Sequence, residues 1–330
     1  MIWRRFAAVV VVIAVIDAWL IWMADAYLHI GTILDADFQT YWAGARRLLD
    51  GMPLFAPEQL SGPYRLGDMD FGSGYVYPPT AAAMSLPLGM LPVDLGWILF
   101  NGVALAALGA AVYFIGRREG LGRTASAVVV GVVLSSGPAA QAAIAGNVNL
   151  WLAVGLAAAW LWPRSASTFA VVGALIKLYP GIAILWTIRR RAWSWTPLVI
   201  GAVFGAVVVA VFGTRLWTEF LTSLANARPF GAAFPQPPRS VLDPVLGSTG
   251  ASLVAYGITG LLGLAVLRVR GDHLAFFLLS LAMIMPALDW HTHYFLIPLV
   301  GALPGVLSAL ARSRIRAPAG RRPDAAAARP

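Results

Sequence analysis

Long apolar stretches alternate with short polar interruptions along most of the chain. A membrane-crossing helix needs about 20 predominantly apolar residues. Residues 6–26 meet that length, and further spans are predicted at 94–115, 125–143, 148–162, 194–213, 249–267, 273–288 and 294–311. Two apolar stretches do not fit a simple crossing. Residues 80–91 are too short, and residues 165–188 carry Lys177 and Pro180 in their middle. Residues 31–79 break the pattern the other way, with six acids, three arginines and several Gly and Pro. Within this polar segment, 38–51 keeps a helical period, and Gly51 reads as the helix stop.

Composition agrees with the pattern. Of 330 residues, 59% are hydrophobic and 12% charged, and the mean hydropathy is +0.74. These values describe an all-α polytopic membrane protein rather than a soluble domain. Most polar residues inside the apolar stretches then need a reason, because a charge in hydrocarbon is costly. The chain has no cysteine, which excludes disulfides, thiolate catalysis and Cys-based metal sites. The net charge of +9 sits on arginines in short loops and in a tail. That placement fits membrane topology and anionic lipid contact, and no nucleic-acid partner is expected. The N-terminus resembles a secretory leader, with Ala24–Asp25–Ala26 as a cleavage site. Its span length and the many spans that follow favour an uncleaved first helix.

Charge also orients the chain. Arg4 and Arg5 place the N-terminus in the cytoplasm, so loop 31–79 lies outside. If 80–91 is a half-helix, then Arg117, Arg118 and Arg123 fall inside. If 165–188 is a hairpin broken near Lys177–Pro180, then Arg164 and the triplet Arg189–Arg191 fall inside as well. Arg268, Arg270 and the Arg-rich tail 312–330 follow on the same side. A full crossing by either stretch would put basic clusters outside. The charge pattern therefore asks for two broken elements, which at membrane depth must be buried or line a cavity. The expected domain is 1–311, with loops 31–79 and 214–247 outside, followed by a disordered cytoplasmic tail.

The unusual polar residues fall at the outside-facing segments. Asp35 and Asp37 follow the first span, where an acid suits a general base, a helix-end carboxylate or a D-x-D metal site. Tyr75 and Tyr77 precede two prolines and suit interfacial anchors. Asn147 and Asn149 offer amides to a substrate, or cap the next helix. His291 and His293 lack further ligands for zinc and fit interfacial or phosphate contacts better. Arg228 and Arg239 lie in a Pro-rich loop that is either a lid or a connector. Asp17, mid-span, is expected to face the bundle interior. Lys177, the chain's only lysine, either snorkels to the interface or meets a phosphate at a hairpin tip. Together they describe a site for an anionic, lipid-linked substrate at the outer membrane surface.

The chain resembles glycosyltransferase family 87, polyprenol-phosphate-mannose-dependent α-1,2-mannosyltransferase-like membrane proteins of the GT-C fold. The motifs that carry the resemblance are DFQTYWAGARRLLDGMPLF (37–55), YVYPP (75–79), GNVN (146–149), KLYP (177–180) and WHTHY (290–294). It implies a bundle of about 8–11 transmembrane helices, two of them short or broken, and a helical extracytoplasmic loop after the first. It implies an inverting hexose transfer from a polyprenyl-phosphate donor to an extracytoplasmic glycan or glycolipid, with Asp37 as base. Lys177, His293, Asn149, Tyr77, Tyr41, Arg239, Asp35, Asn147 and His291 are the expected donor- and substrate-binding residues. Neither a metal nor another cofactor is expected. The resemblance also implies a multi-pass protein of the plasma (inner) membrane with both termini cytoplasmic. The chain departs from the family's usual pattern at Asn147, at Thr292 with a displaced His291, and at 238–240, which puts the sugar and acceptor in doubt more than the fold. The rival reading is a transporter or flippase for a lipid-linked anion, which needs cations and broken helices but no acid beside the first span.

Overall fold

A computed structural model of the chain describes residues 36–65, 69, 74–228, 237–287 and 291–315. The first predicted span with Asp17, the acid Asp35, and the tail beyond 315 lie outside the described residues. The described chain is helical apart from one two-residue strand pair.

Helix α1 (Ala36–Leu49) follows the predicted period, burying Phe38, Tyr41, Ala45 and Leu48 along one face. It ends where expected, with the Met52 N–H folding back on the Arg47 carbonyl at 2.8 Å. Helix α2 (Pro57–Ser61) and strand β1 (Tyr64–Arg65) complete this polar layer. The apolar stretch 80–91 forms two short helices, α3 (Pro79–Met84) and α4 (Leu86–Gly89). Helix α5 (Val93–Arg118) is then long and apolar enough to cross a membrane.

The predicted span 125–143 is not one straight helix. It forms α6 (Arg123–Leu134) and α7 (Gly137–Ala145), bent by 56°. Ser135 and Ser136 bond their hydroxyls back to the Gly131 and Val133 carbonyls, and Pro138 supplies no N–H to the next turn. Helix α8 (Asn149–Leu161) follows.

Residues 165–188 form a hairpin. Helix α9 (Ser165–Lys177) stops, a 3-10 turn covers Tyr179–Ala183, and α10 (Ile184–Arg189) runs back. The return is visible in its contacts: the Ser194 N–H reaches Ser167 Oγ at 3.3 Å. A Cβ on Gly173 would come 2.5 Å from the Pro180 Cβ, so the close approach needs a glycine. At the tip, Leu178 holds φ 44 and ψ −58, a conformation rare for a residue with a side chain. Both ends of the hairpin thus emerge together, as the charge pattern requires.

Helix α11 (Thr196–Phe212) turns by 102° into α12 (Arg215–Asn226), and β2 (Ala227–Arg228) pairs in parallel with β1. Loop 214–247 is therefore more than a connector. Ser223 Oγ meets Gln59 Nε2 at 3.2 Å and the Tyr64 hydroxyl at 2.9 Å, and Asn226 Nδ2 donates to the Gln59 carbonyl at 3.0 Å. The two predicted outside loops form one layer. Helix α13 (Pro238–Arg268) is divided by non-helical backbone at Gly247, so the predicted span 249–267 is its second part. Helix α14 (Asp272–Ile284), a 3-10 turn (Thr292–Phe295) and α15 (Leu296–Ile315) close the fold.

The chain is an all-α polytopic membrane protein. Three described helical segments, Val93–Arg118, Pro238–Arg268 and Thr292–Ser313, are long and apolar enough to cross a membrane, and each of two bent pairs reaches that length together. Val203, Val207 and Val211 are exposed along one face of α11, which suits lipid and not water. The basic loops gather at one end. Arg118 donates to the Trp160 and Leu161 carbonyls, Glu119 takes Trp160 Nε1 and His273 Nε2, and Arg189 pairs with Asp272. The polar layer and the hairpin tip lie at the other end.

Candidate active site

Five separate stretches converge beneath the polar layer. The first turn of α1 supplies Asp37. Helix α7 ends at Gly146 with φ 65, and a Cβ there would sit 2.5 Å from the Phe38 Cβ and 2.9 Å from the Trp97 ring. Glycine satisfies both the left-handed backbone and this contact. The next residue, Asn147, uses both ends of its amide. Its Oδ1 accepts the Asn149 N–H at 2.8 Å, opening α8, and its Nδ2 donates to Asp37 Oδ2 at 2.7 Å. One asparagine side chain thus opens α8 and holds the Asp37 carboxylate. Gly146→Ala is expected to lower stability by about 2–4 kcal/mol, combining the left-handed penalty with overpacking. Thermal unfolding in detergent checks this; an unchanged midpoint would show that the junction relaxes freely.

Lys177 arrives from the hairpin tip and is buried. Asn149 Oδ1 accepts from Lys177 Nζ at 3.4 Å and from the Tyr179 hydroxyl at 3.2 Å. The ammonium also faces the rings of Tyr294 at 4.9 Å, Tyr77 at 5.5 Å and Tyr179 at 6.0 Å. No carboxylate among the described residues forms an ion pair with it. Asp37 and Lys177 thus stand at the two ends of one chain of amides, Asn147 then Asn149.

The tyrosines make the walls. The Tyr41 hydroxyl donates to the Tyr77 hydroxyl at 2.8 Å and accepts the Val148 N–H at 3.4 Å. Burial pushes both phenols well above their usual range, with the Asp37 carboxylate adding to this at Tyr41, so both stay protonated. Tyr75 and Tyr77 are buried, not interfacial anchors: Tyr75 packs on Phe55, which meets Phe220 of α12, and Tyr77 packs on Tyr41 and Tyr75. The His293 N–H donates to Gln141 Oε1 at 2.6 Å, and its ring stacks on His291 and Tyr294. Two buried polar atoms in the site, Asn149 Nδ2 and His293 Nδ1, have no hydrogen-bond partner among the described residues.

The structure thus brings together Asp37, Tyr41, Tyr77, Asn147, Asn149, Lys177, His291 and His293. Asp35 lies outside the described residues. No hydrogen bond or ion pair ties Arg239, in the first turn of α13, to this group, and Arg228 caps the Ala225 and Ala227 carbonyls instead. The residue pattern alone did not single out Gln141, Tyr179 and Tyr294. Tyr179 and Tyr294 lie inside recognised motifs, and Gln141 is a lone amide in an apolar stretch, which was the available signal. No three His, Asp or Glu side chains among the described residues come together as a metal site.

The family model described as Glycosyltransferase family 87 matches residues 75–288. The chain belongs to glycosyltransferase family 87. The match contains the Tyr77, Asn147–Asn149 and Lys177 segments, while Asp37 and His293 lie on either side of it. Two curated relatives are similar to this family 87 chain. Both are named polyprenol-phosphate-mannose-dependent alpha-(1-2)-phosphatidylinositol pentamannoside mannosyltransferase. The protein from Mycolicibacterium smegmatis is 29% identical over 266 residues, covering 74% of this chain and 65% of the relative. The protein from Mycobacterium tuberculosis is 26% identical over 318 residues, covering 89% of this chain and 71% of the relative. The chain therefore spans about two thirds of the length of these relatives. No solved structure matches the chain.

Proposed function

We propose that this family 87 chain is a membrane glycosyltransferase. It moves a hexose, mannose by analogy with its relatives, from a polyprenyl phosphate to a hydroxyl of an extracytoplasmic glycan or glycolipid. One observation carries the reading: an acid and a buried cation are joined through two amides, Asp37–Asn147 at 2.7 Å and Asn149–Lys177 at 3.4 Å. That is the pair a phosphate-leaving sugar transfer needs, with a base for the attacking hydroxyl and a cation for the departing phosphate.

The acceptor oxygen attacks the anomeric carbon as its proton passes to Asp37. The bond from that carbon to the phosphate oxygen breaks, and its electron pair leaves with polyprenyl phosphate, so the configuration inverts. Lys177 offsets the charge that develops on the leaving phosphate. Asn149 Nδ2 and His293 Nδ1, both without partners among the described residues, are then available to substrate oxygens. No step is assigned to a metal. An apolar cavity of about 620 Å³ beside Tyr41 and Val148, lined by Leu99, Phe100 and Val103, suits an isoprenoid chain. With the basic end cytoplasmic, the active site faces the outside of the plasma membrane.

The test is transfer of labelled mannose from polyprenyl phosphate to a glycolipid by the purified chain in proteoliposomes. Movement of the donor across the bilayer without transfer would overturn this reading in favour of a flippase.

A further inference from the structure

We propose that the chain carries a second lipid site, for an anionic diacyl phospholipid, at the end of the bundle opposite Asp37. The site is a cavity of about 800 Å³ between α9, the 191–194 linker and the start of α11. Val171 and Leu175 of α9 and Ile200 and Phe204 of α11 line its apolar length. Arg164 and Arg191 line its polar end, beside Trp193. None of Asp37, Asn147, Asn149, Lys177 and His293 lines it; it adjoins the cavity beside Tyr41 through Met84, Thr168 and Val172, and its arginine end is distinct from the candidate active site.

The arginines at this end are used differently. Arg189 donates to the Val266 and Val269 carbonyls at 2.8 and 2.7 Å and pairs with Asp272 at 3.0 Å. Arg190 pairs with the same carboxylate. Arg164 and Arg191, in contrast, make no side-chain hydrogen bond or ion pair with any described residue. Two guanidinium groups with no partner among the described residues thus rim an apolar cavity, with a tryptophan beside them. That is the chemistry of a phospholipid: a phosphate that accepts two N–H groups from a planar guanidinium, followed by acyl chains.

The backbone gives a second, independent observation. The Ala192 N–H bonds the Thr187 carbonyl at 2.9 Å, and the Arg191 N–H bonds the Ile188 carbonyl at 3.1 Å. This wrap ends α10 with Arg191 at φ 49, the position where helices usually place glycine. An arginine there is unfavourable for the fold, which points to a use for its side chain.

Binding is read without transfer, so the proposal does not rest on the catalytic reading. The full chain, purified in detergent, is incubated with phosphatidylglycerol or with phosphatidylcholine, and retained lipid is counted by native mass spectrometry. Phosphatidylglycerol is expected to be retained in preference. Arg164→Gln combined with Arg191→Gln should weaken its retention by roughly tenfold or more. Ile200→Trp, which fills the cavity and leaves the charges in place, should weaken it too. Arg191→Gly separates folding from binding. In lipid-free detergent its melting temperature should hold or rise, because glycine suits the left-handed turn, while phosphatidylglycerol retention falls. Equal retention of the two lipids, or full retention by Arg191→Gly, overturns the proposal. So does displacement of the lipid by inorganic phosphate with no effect of Ile200→Trp, since that marks a simple anion site.

Discussion

Asp37→Asn is expected to slow sugar transfer by about 10²–10⁴-fold, the range typical for loss of a general base. The substitution keeps the shape of the side chain and removes only its ability to take the proton. Asp37 Oδ2 accepts from Asn147 Nδ2, and the amide oxygen of the variant can still accept that bond. The fold therefore has little reason to change. Donor binding should also survive, since Lys177 approaches Asn149 and not Asp37. The measurement is single-turnover transfer at saturating donor, with a melting curve beside it. Transfer at the wild-type rate by a folded variant would remove Asp37 from the base role.

Asn147 connects this prediction to what the sequence could convey. The family pattern gave Asn149 and His293 more weight than Asn147, because the family usually has glutamine at that position. The structure makes Asn147 the direct partner of Asp37, a pairing across 110 positions of the chain. No local pattern carries such a pairing. What the sequence did carry was periodic or electrostatic. The face Phe38, Tyr41, Ala45 and Leu48 repeats at three and four residues, so α1 was legible. The hairpin was legible because Arg164 and Arg189–Arg191 demanded a common side and Pro180 could not continue a helix. The bend at Ser135–Ser136 was not, since apolar residues flank it on both arms and no charge reports the turn. Tyr75 and Tyr77 read locally as anchors, although the family motif set Tyr77 among the expected substrate-binding residues, because an aromatic near a membrane surface looks the same whether later chain covers it or not. Here Phe220 of α12, far along the chain, packs on Phe55, which packs on Tyr75. The triplet Arg189–Arg191 gave an expected side of the membrane but not the division of labour within it, which depends on where Asp272 and the turn at Arg191 fall.

Lys177→Met should separate function from folding most sharply. A buried ammonium is desolvated, and its neighbours here offset that only partly. They are one amide oxygen at 3.4 Å and three ring faces at 4.9 to 6.0 Å. Each exposed-to-buried cation–π contact contributes about 0.5–2 kcal/mol, and a thioether among aromatic rings recovers about 0.3–1.5 kcal/mol. Methionine also removes the desolvation penalty, and Asn149 Oδ1 keeps the Tyr179 hydroxyl as donor. Stability should therefore shift by less than about 1.5 kcal/mol, as for other volume-conserving exchanges. Catalysis should not be spared. With the ammonium gone, no described cation pairs with charge developing on the leaving phosphate, and loss of one such group costs about 10²–10³-fold in rate. Donor affinity should fall as well, because the ground-state phosphodiester is already an anion. Titration with polyprenyl-phosphate mannose, followed by transfer at saturation, measures the two losses separately. If binding and rate both match the wild type while the fold is retained, Lys177 is a packing residue among its tyrosines, and the phosphate must be met by another group.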